Sequence, residues 1–279
     1  QLAKLDVTRP PALSFDAVED ALGYHDKAWA KFGGYASIKK RIYRTVTNPW
    51  RRRCGSDNNM DFGLNPPRGV LFHGKSGVGK TFAANCVSTS LGLNVVKVRA
   101  SDVLDQWLGG SEAAIRSLFQ KARGAAPCIL FLDEIDAIAS NRDQEGSEND
   151  VSSRILTTLL NEMDGVSSKL DTDILVLACT NRLQDIDPAL LRPGRLEEHI
   201  ELQLPNYEDV KDILKLYLSK ISFQDDDAII SNVAQNLVDL ETTGADIEGV
   251  CRDAISYTLN FTETNIQIGE TALLRALAE

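Results

Sequence analysis

The eight residues from Gly74 to Thr81, Gly-Lys-Ser-Gly-Val-Gly-Lys-Thr, constrain this chain more than any other stretch. They satisfy the pattern G-x-x-x-x-G-K-[ST] at every fixed position. An apolar run from Gly69 to His73 leads in, and a small-residue run from Phe82 to Val87 follows. Strand, glycine loop and helix in that order turn successive backbone N–H groups inward as an anion nest. The helix that starts near Lys80 adds its positive dipole end to the same spot. Gly74, Gly77 and Gly79 let the backbone bend that tightly. Lys80 is placed to reach the outer phosphates, and the Thr81 hydroxyl to sit on Mg²⁺. With Lys75, Ser76, Val78 and Phe82, these residues form a phosphate-binding loop.

Such a loop belongs to a parallel α/β sheet flanked by helices, and other apolar runs supply the strands. Residues 91–98, 128–132, 174–181 and 200–204 read as buried strands, with helical periods at 111–123 and 151–163. Ser111 with Glu112 is expected to cap the first helix, and Asp164-Gly165 to stop the second. The run at 128–132 breaks into Asp133-Glu134, as a strand does when its C-terminal edge opens on a ligand. Beside a phosphate loop, Asp133 would hold Mg²⁺ through its water shell, and Glu134 would polarise a water for attack on the terminal phosphate. That pair favours hydrolysis over binding alone. Asn181, at another strand end, is placed to hydrogen-bond the attacking water or the terminal phosphate. Arg192 and Arg195 flank Pro193-Gly194, a turn that displays both guanidiniums for phosphoryl charge across an interface.

After Pro205 the strands give way to helical periods at 210–218, 229–238, 247–259 and 272–277, with Asp246 as an expected N-cap. The expected organisation is a linker at 1–26 with a short helix near 15–22, an α/β nucleotide-binding domain at 27–205 and a small all-α lid at 206–279. Residues 141–150 are polar and acidic and read as a mobile loop. Gly33-Gly34 permits a tight turn where a flat ring could approach the backbone. The chain does not begin with Met and opens on linker-like sequence, so it reads as a piece of a longer protein.

Charge narrows the partners. A net charge of −10 argues against a general nucleic-acid surface, and Arg51-Arg52-Arg53 reads as a solvated loop. The five cysteines are scattered without a C-x-x-C pair, which suits reduced thiols in a reducing, intracellular compartment. No stretch is apolar for long enough to cross a bilayer, so no membrane insertion is expected.

Together these motifs resemble the AAA ATPases, specifically cassettes of the valosin-containing-protein and peroxisome-biogenesis type, including the second cassette of two-cassette proteins. The resemblance runs from about Trp29 to the C-terminus. It identifies Gly74–Thr81 with the Walker A motif, Ile129–Asp136 with Walker B and Asn181 with the sensor. Arg192 and Arg195 match the two arginine fingers that reach a neighbour's nucleotide, and Asp164 and Gly165 match the intersubunit signalling motif. Lys31, Phe32 and Gly33 align with the adenine-contacting segment, and Gly244, Ala245 and Asp246 with the lid motif near adenine and ribose. Gln106-Trp107-Leu108-Gly109 matches the pore loop, where Trp107 and Leu108 would grip a threaded polypeptide; core packing is the other reading of Trp107. Four departures stand out: Lys75-Ser76 replaces two prolines, Gly110 and Lys31 each replace an acidic residue, and Leu196-Glu197-Glu198 is unusually acidic.

The resemblance implies ATP and Mg²⁺ as cofactors and a homo- or hetero-hexameric ring. It further implies that hydrolysis drives unfolding, extraction or complex disassembly of protein substrates brought by adaptors. The expected location is the cytoplasm or nucleus, or the periphery of an organelle membrane. Two rival functions remain: an ATP-binding structural cassette that stabilises a ring without turnover, and a nucleic-acid-remodelling ATPase.

Overall fold

The structure, a computed structural model, describes residues 7–8, 27–54, 66–105, 110–139, 150–168, 173–219 and 227–261. Among the described residues six strands form one sheet: β1 (Val7–Thr8), β2 (Gly69–His73), β3 (Asn94–Arg99), β4 (Cys128–Asp133), β5 (Ile174–Thr180) and β6 (Glu198–Glu201). Their order is β1-β3-β4-β5-β2-β6. The five strands from β3 to β6 run parallel, while β1 lies antiparallel on the β3 edge, with Val7 opposite Val96 and Thr8 opposite Val95. The chain leaves β2, crosses to β3 and returns through β4 and β5, so the strand carrying the phosphate loop is flanked by β5 and β6. Such a reversal opens a crevice at the carboxyl ends of the strands.

Every residue of β5 is buried, as is β4 up to its terminal Asp133, because helices cover both faces. β3 differs: Val96 and Val98 are buried while Lys97 and Arg99 are exposed. One face carries α1 (Ala36–Ile42), α2 (Asn48–Cys54) and α3 (Lys80–Leu91), the other α4 (Ala100–Asp105), α5 (Ser111–Gly124) and α6 (Asp150–Ser168). After residue 205 come α7 (Tyr207–Leu218), α8 (Asp227–Asp239) and α9 (Gly244–Phe261). Their apolar residues, among them Val210, Leu214, Leu237 and Ile247, join the core on the α1–α3 face.

Several local expectations are corrected. Ile38, Ile42 and Val46 lie on one helical run, but Tyr43–Thr47 between α1 and α2 is wound as a π-helix. The expected strand at 91–98 begins at Asn94, because α3 runs to Leu91 and ends on left-handed Gly92. The N-cap of α5 is Gly110, and Ser111 is its buried first residue. α6 continues through Asp164-Gly165 to Ser168: Val166 is buried in the core, and the Asp164 carboxylate is engaged by Arg195 rather than by a turn. At the start of α9, Thr243 is the cap and Asp246 the third helical residue; the Thr243 amide and hydroxyl both donate to Asp246 at 2.8 Å. The Asp246 amide donates back to the Thr243 hydroxyl at 3.3 Å, completing a capping box. Arg51–Arg53 is helical rather than a loop: Arg51 donates to the Ser90 carbonyl and Arg53 pairs with Asp173 at 2.7 Å. The expected helices near 15–22 and at 272–277 lie outside the described residues, as does the acidic loop expected at 141–150 except for Asp150, which opens α6 instead.

Cys86, Cys128, Cys179 and Cys251 are buried and Cys54 is half-buried, all as free thiols. Burial pushes the thiols of Cys86, Cys128 and Cys251 up to about 12, far from the thiolate range at neutral pH. The folded protein is therefore expected to take up roughly one equivalent of maleimide at neutral pH, on Cys54, and about five after unfolding. Rapid labelling of Cys86 or Cys251 in the folded state, read by mass spectrometry, would contradict this packing.

Candidate functional site

The loop between β2 and α3 is closed by its own lysine. Lys80 Nζ donates to the carbonyls of Gly74 at 2.9 Å and Lys75 at 2.7 Å, so the ammonium lies across the loop. Burial pulls the Lys80 pKa down, against the opposing pull of Cys179, Asp133 and Asp136. Next to it, the Thr81 hydroxyl lies 3.2 and 3.1 Å from the two carboxylate oxygens of Asp133. One hydroxyl and one carboxylate suit Mg²⁺, a hard cation that takes few protein ligands and keeps several waters. Among the described residues no three His, Cys, Asp or Glu side chains cluster as a metal cage. A cation here would draw its remaining oxygens from phosphate and water.

Glu134 follows Asp133 and is held at φ 55, ψ 46. For a residue other than glycine this left-handed conformation costs about 1–2 kcal/mol, and such strain concentrates at functional sites. It swings the glutamate off the end of β4 and leaves it exposed, before a short 3₁₀ turn at Ile135–Ala137. Exposed Asn181 follows Thr180 at the end of the neighbouring β5.

These residues line one cleft of about 520 Å³. It gathers Ser76, Gly77, Val78, Gly79, Lys80, Thr81 and Phe82 with Lys31, Phe32, Gly33, Asp133, Glu134, Asn181, Gly244 and Ala245, all expected from the sequence. Gly74 and Lys75 contribute the carbonyls that hold Lys80, without lining the cleft. The sequence missed further lining residues: Tyr35, Lys97 and Arg99 from β3, Cys179 and Thr180, and Ile213, Leu216, Tyr217 and Glu248 from the helices after residue 205.

One wall is aromatic. The Phe32 ring stacks between Tyr35, with centroids 5.4 Å apart, and Phe82 at 5.6 Å; Trp29 meets its edge at 5.6 Å. Phe82 is 42% exposed, a flat apolar surface inside the cleft. α7 holds this wall in place. Asp209 accepts from the Tyr35 amide at 2.5 Å and from the Asn206 amide at 3.2 Å, so one carboxylate caps α7 and fastens the aromatic segment. A side chain at Gly33 would put its Cβ 2.8 Å from the Ile213 backbone, which shows how closely α7 approaches. α9 meets the phosphate loop directly, through the Ala245 amide to the Gly77 carbonyl at 3.0 Å. Lys75 lies 3.7 Å from Glu241 across the same gap; both are exposed, so this pair contributes little.

Arg192 and Arg195 do not line the cleft. Arg192 is exposed. Arg195 forms a two-pronged pair with Asp164, Nε to Oδ1 and Nη2 to Oδ2 both at 2.8 Å, and donates to the Ala189 carbonyl at 2.5 Å. Hydrogen bonding from Arg195 holds the Asp164 carboxyl below its usual range. The arginine turn is fixed to the start of β2: Glu197 accepts from the amides of Arg68 at 2.9 Å and Gly194 at 3.0 Å. A Cβ on Gly69 would stand 2.2 Å from the Arg195 carbonyl. Trp107 and Leu108 lie outside the described residues.

A family model described as "ATPase family associated with various cellular activities (AAA)" matches residues 70–204. Over 229 residues the chain is 37% identical to the ATPase family gene 2 protein of Schizosaccharomyces pombe, covering 81% of this chain and 26% of that protein. Over 226 residues it is 38% identical to the cell division cycle protein 48 homolog of Archaeoglobus fulgidus, covering 81% and 30% respectively. The chain thus spans between a quarter and a third of the length of these curated relatives.

Proposed function

Because the chain carries an AAA ATPase domain, we propose that it hydrolyses ATP with Mg²⁺ in this cleft, as one member of a hexameric ring whose subunits complete each other's sites. The observation that carries the reading is the line of groups along the strand ends: Lys80 over the loop, Thr81 against Asp133, and Glu134 turned outward into the same cleft. The loop amides and Lys80 bind and orient the outer phosphates, and Phe82 with the Phe32 stack offers an apolar face to the base. A Mg²⁺ held at Thr81 and Asp133 would neutralise charge on the outer phosphates. Glu134 accepts a proton from the attacking water, and Asn181 helps to orient that water.

The position of Arg192 and Arg195 supports the ring reading. Phosphoryl transfer gains much from an arginine that meets charge developing in the transition state. Of this chain's two candidates, Arg192 is exposed and Arg195 is tied to Asp164, and both lie outside their own cleft. A neighbouring copy can supply Arg192, with Arg195 and Asp164 fixing the turn that presents it. The work falls on a polypeptide gripped at Trp107 and Leu108 and delivered by adaptor proteins; the resemblance of Gln106–Gly109 to a pore loop supports this.

The test measures phosphate release per chain against protein concentration, with assembly mass read alongside. Turnover is expected to rise as rings form. Mixing the separately inactive Glu134→Gln and Arg192→Ala chains is expected to restore part of it, because each supplies what the other lost. A rate per chain that ignores assembly, with no rescue on mixing, would refute the shared site. ATP binding without turnover in assembled rings would make the domain a structural cassette.

A further inference from the structure

Lys39 on α1 is half-buried, whereas its neighbour Lys40 is exposed. Its Nζ donates to the Phe32 carbonyl and stands 5.5 Å from the centroid of the Phe32 ring. One ammonium thus holds both the backbone and the ring of a single residue, and that residue is the middle of the aromatic wall. Lys39 itself does not line the cleft. Drawing an ammonium out of water carries a cost that an apolar side chain at the same place on α1 would not incur. Burial pulls the Lys39 pKa down, opposed by the attraction of Asp212, Cys86 and Asp209.

The wall is anchored on either side of this contact. Gly34 at φ 65 and Tyr35 at φ 56 are left-handed in succession, so the chain turns sharply just after Gly33. Beyond the turn, Asp209 takes the Tyr35 amide, and the Tyr35 hydroxyl donates to the Gln203 carbonyl at 3.0 Å. Before it, the Phe32 amide donates to the Trp29 carbonyl at 2.9 Å. Between those anchors Lys39 fastens the Phe32 carbonyl, and removing that donor would strip a buried residue of a charge-assisted bond.

The rings carry the hold into the cleft. Phe32 lies nearly parallel to both its partners, at 19° to Tyr35 and 14° to Phe82. Phe32 and Tyr35 are buried, and Phe82 is the exposed member of the stack. A planar base laid on Phe82 therefore rests on rings whose position Phe32 sets.

We propose that Lys39 is a positioning residue: by holding Phe32 it fixes the ring stack that receives a nucleotide's base, and so adds to base affinity without touching the ligand. The inference rests on the nucleotide reading of the cleft.

Equilibrium titration of the 279-residue chain with ATP and with inorganic tripolyphosphate, which offers phosphates and no base, tests it. Lys39→Met keeps the length of the side chain and suits a helix. It is expected to weaken ATP roughly tenfold, the loss typical of a charge-assisted hydrogen bond, and to leave tripolyphosphate within about twofold. Both affinities are read on one preparation, so a general loss of stability does not move their ratio. Lys39→Arg, which keeps a charged donor, is expected to retain most of the ratio. Phe82→Ala should lower the ratio by itself, and adding Lys39→Met to it should change little more, because residues acting through one stack do not add. Unchanged ATP affinity in Lys39→Met, an equal loss of both ligands, or fully additive losses in the double variant would each overturn the proposal. So would an unaltered chain that binds ATP no more tightly than tripolyphosphate. If the unaltered chain binds neither ligand, the nucleotide reading itself fails and the proposal falls with it.

Discussion

Glu134→Gln is expected to lower ATP turnover by about 10²–10⁴-fold, the usual contribution of a positioned general base, while ATP affinity stays within roughly twofold. The two effects separate for structural reasons. Glu134 is exposed, and the loop lysine bonds to the carbonyls of Gly74 and Lys75 rather than to it. Glutamine matches glutamate in shape and meets the same strain at φ 55, so backbone and cleft persist. What disappears is the basicity needed to take a proton from water. Phosphate release and equilibrium titration of the same preparation read both quantities. Loss of binding in step with turnover would assign Glu134 to holding the nucleotide. Unchanged turnover would remove it from the chemistry.

The second large effect concerns two glycines that share a positive φ but not their surroundings. Gly74 and Gly92 both have positive φ, 142° and 64°. A Cβ on Gly92 meets nothing within 4 Å, whereas one on Gly74 would stand 2.1 Å from the Leu202 carbonyl oxygen, a backbone atom with no rotamer to yield. Gly92→Ala is therefore expected to cost about 1 kcal/mol of conformational strain, or roughly 2–4 °C in melting temperature. Gly74→Ala adds a steric conflict and should cost about 3 kcal/mol or more, lowering the melting temperature by about 10 °C. Because the Gly74 carbonyl also receives Lys80, ATP affinity should fall in Gly74→Ala and hold in Gly92→Ala. Equal melting temperatures for the two variants would show that the β2–β6 edge yields where its packing says it cannot.

The line of groups along the sheet edge was legible because its members sit at strand ends whose apolar runs are unmistakable in sequence. Gly69–His73, Cys128–Asp133 and Ile174–Thr180 each deliver a polar group to one sheet edge, and a parallel sheet aligns those edges. Tyr217 and Glu248 were not legible. Each is an ordinary helical residue until α7 and α9 are folded over the loop, and only tertiary packing brings them together. Lys97 fell inside a run read as a buried strand and Arg99 just beyond it; the outward alternation of β3 beside Asp133 makes both cleft residues. The stop expected at Asp164-Gly165 failed for a similar reason. Those residues signal a helix end locally, but Arg195, 31 positions away, takes up the Asp164 carboxylate and the helix runs on.

β2 can finally be seen as a strut with different duties at its two ends. At one end the chain turns into the phosphate loop at Gly74; at the other, Gly69 bears against the Arg195 carbonyl, and Glu197 fastens Arg68 to Gly194. Five extended residues span only about 16 Å, fully buried except at His73 and hydrogen-bonded to β5 and β6 on both sides. No soft joint lies between the end that leads into the Gly74–Thr81 loop and the end that bears on the arginine turn. A shift of the loop along the strand axis must therefore appear at the turn almost undiminished. In a ring, that stiffness would let each subunit keep time with the next, passing on the state of its own nucleotide as a displacement.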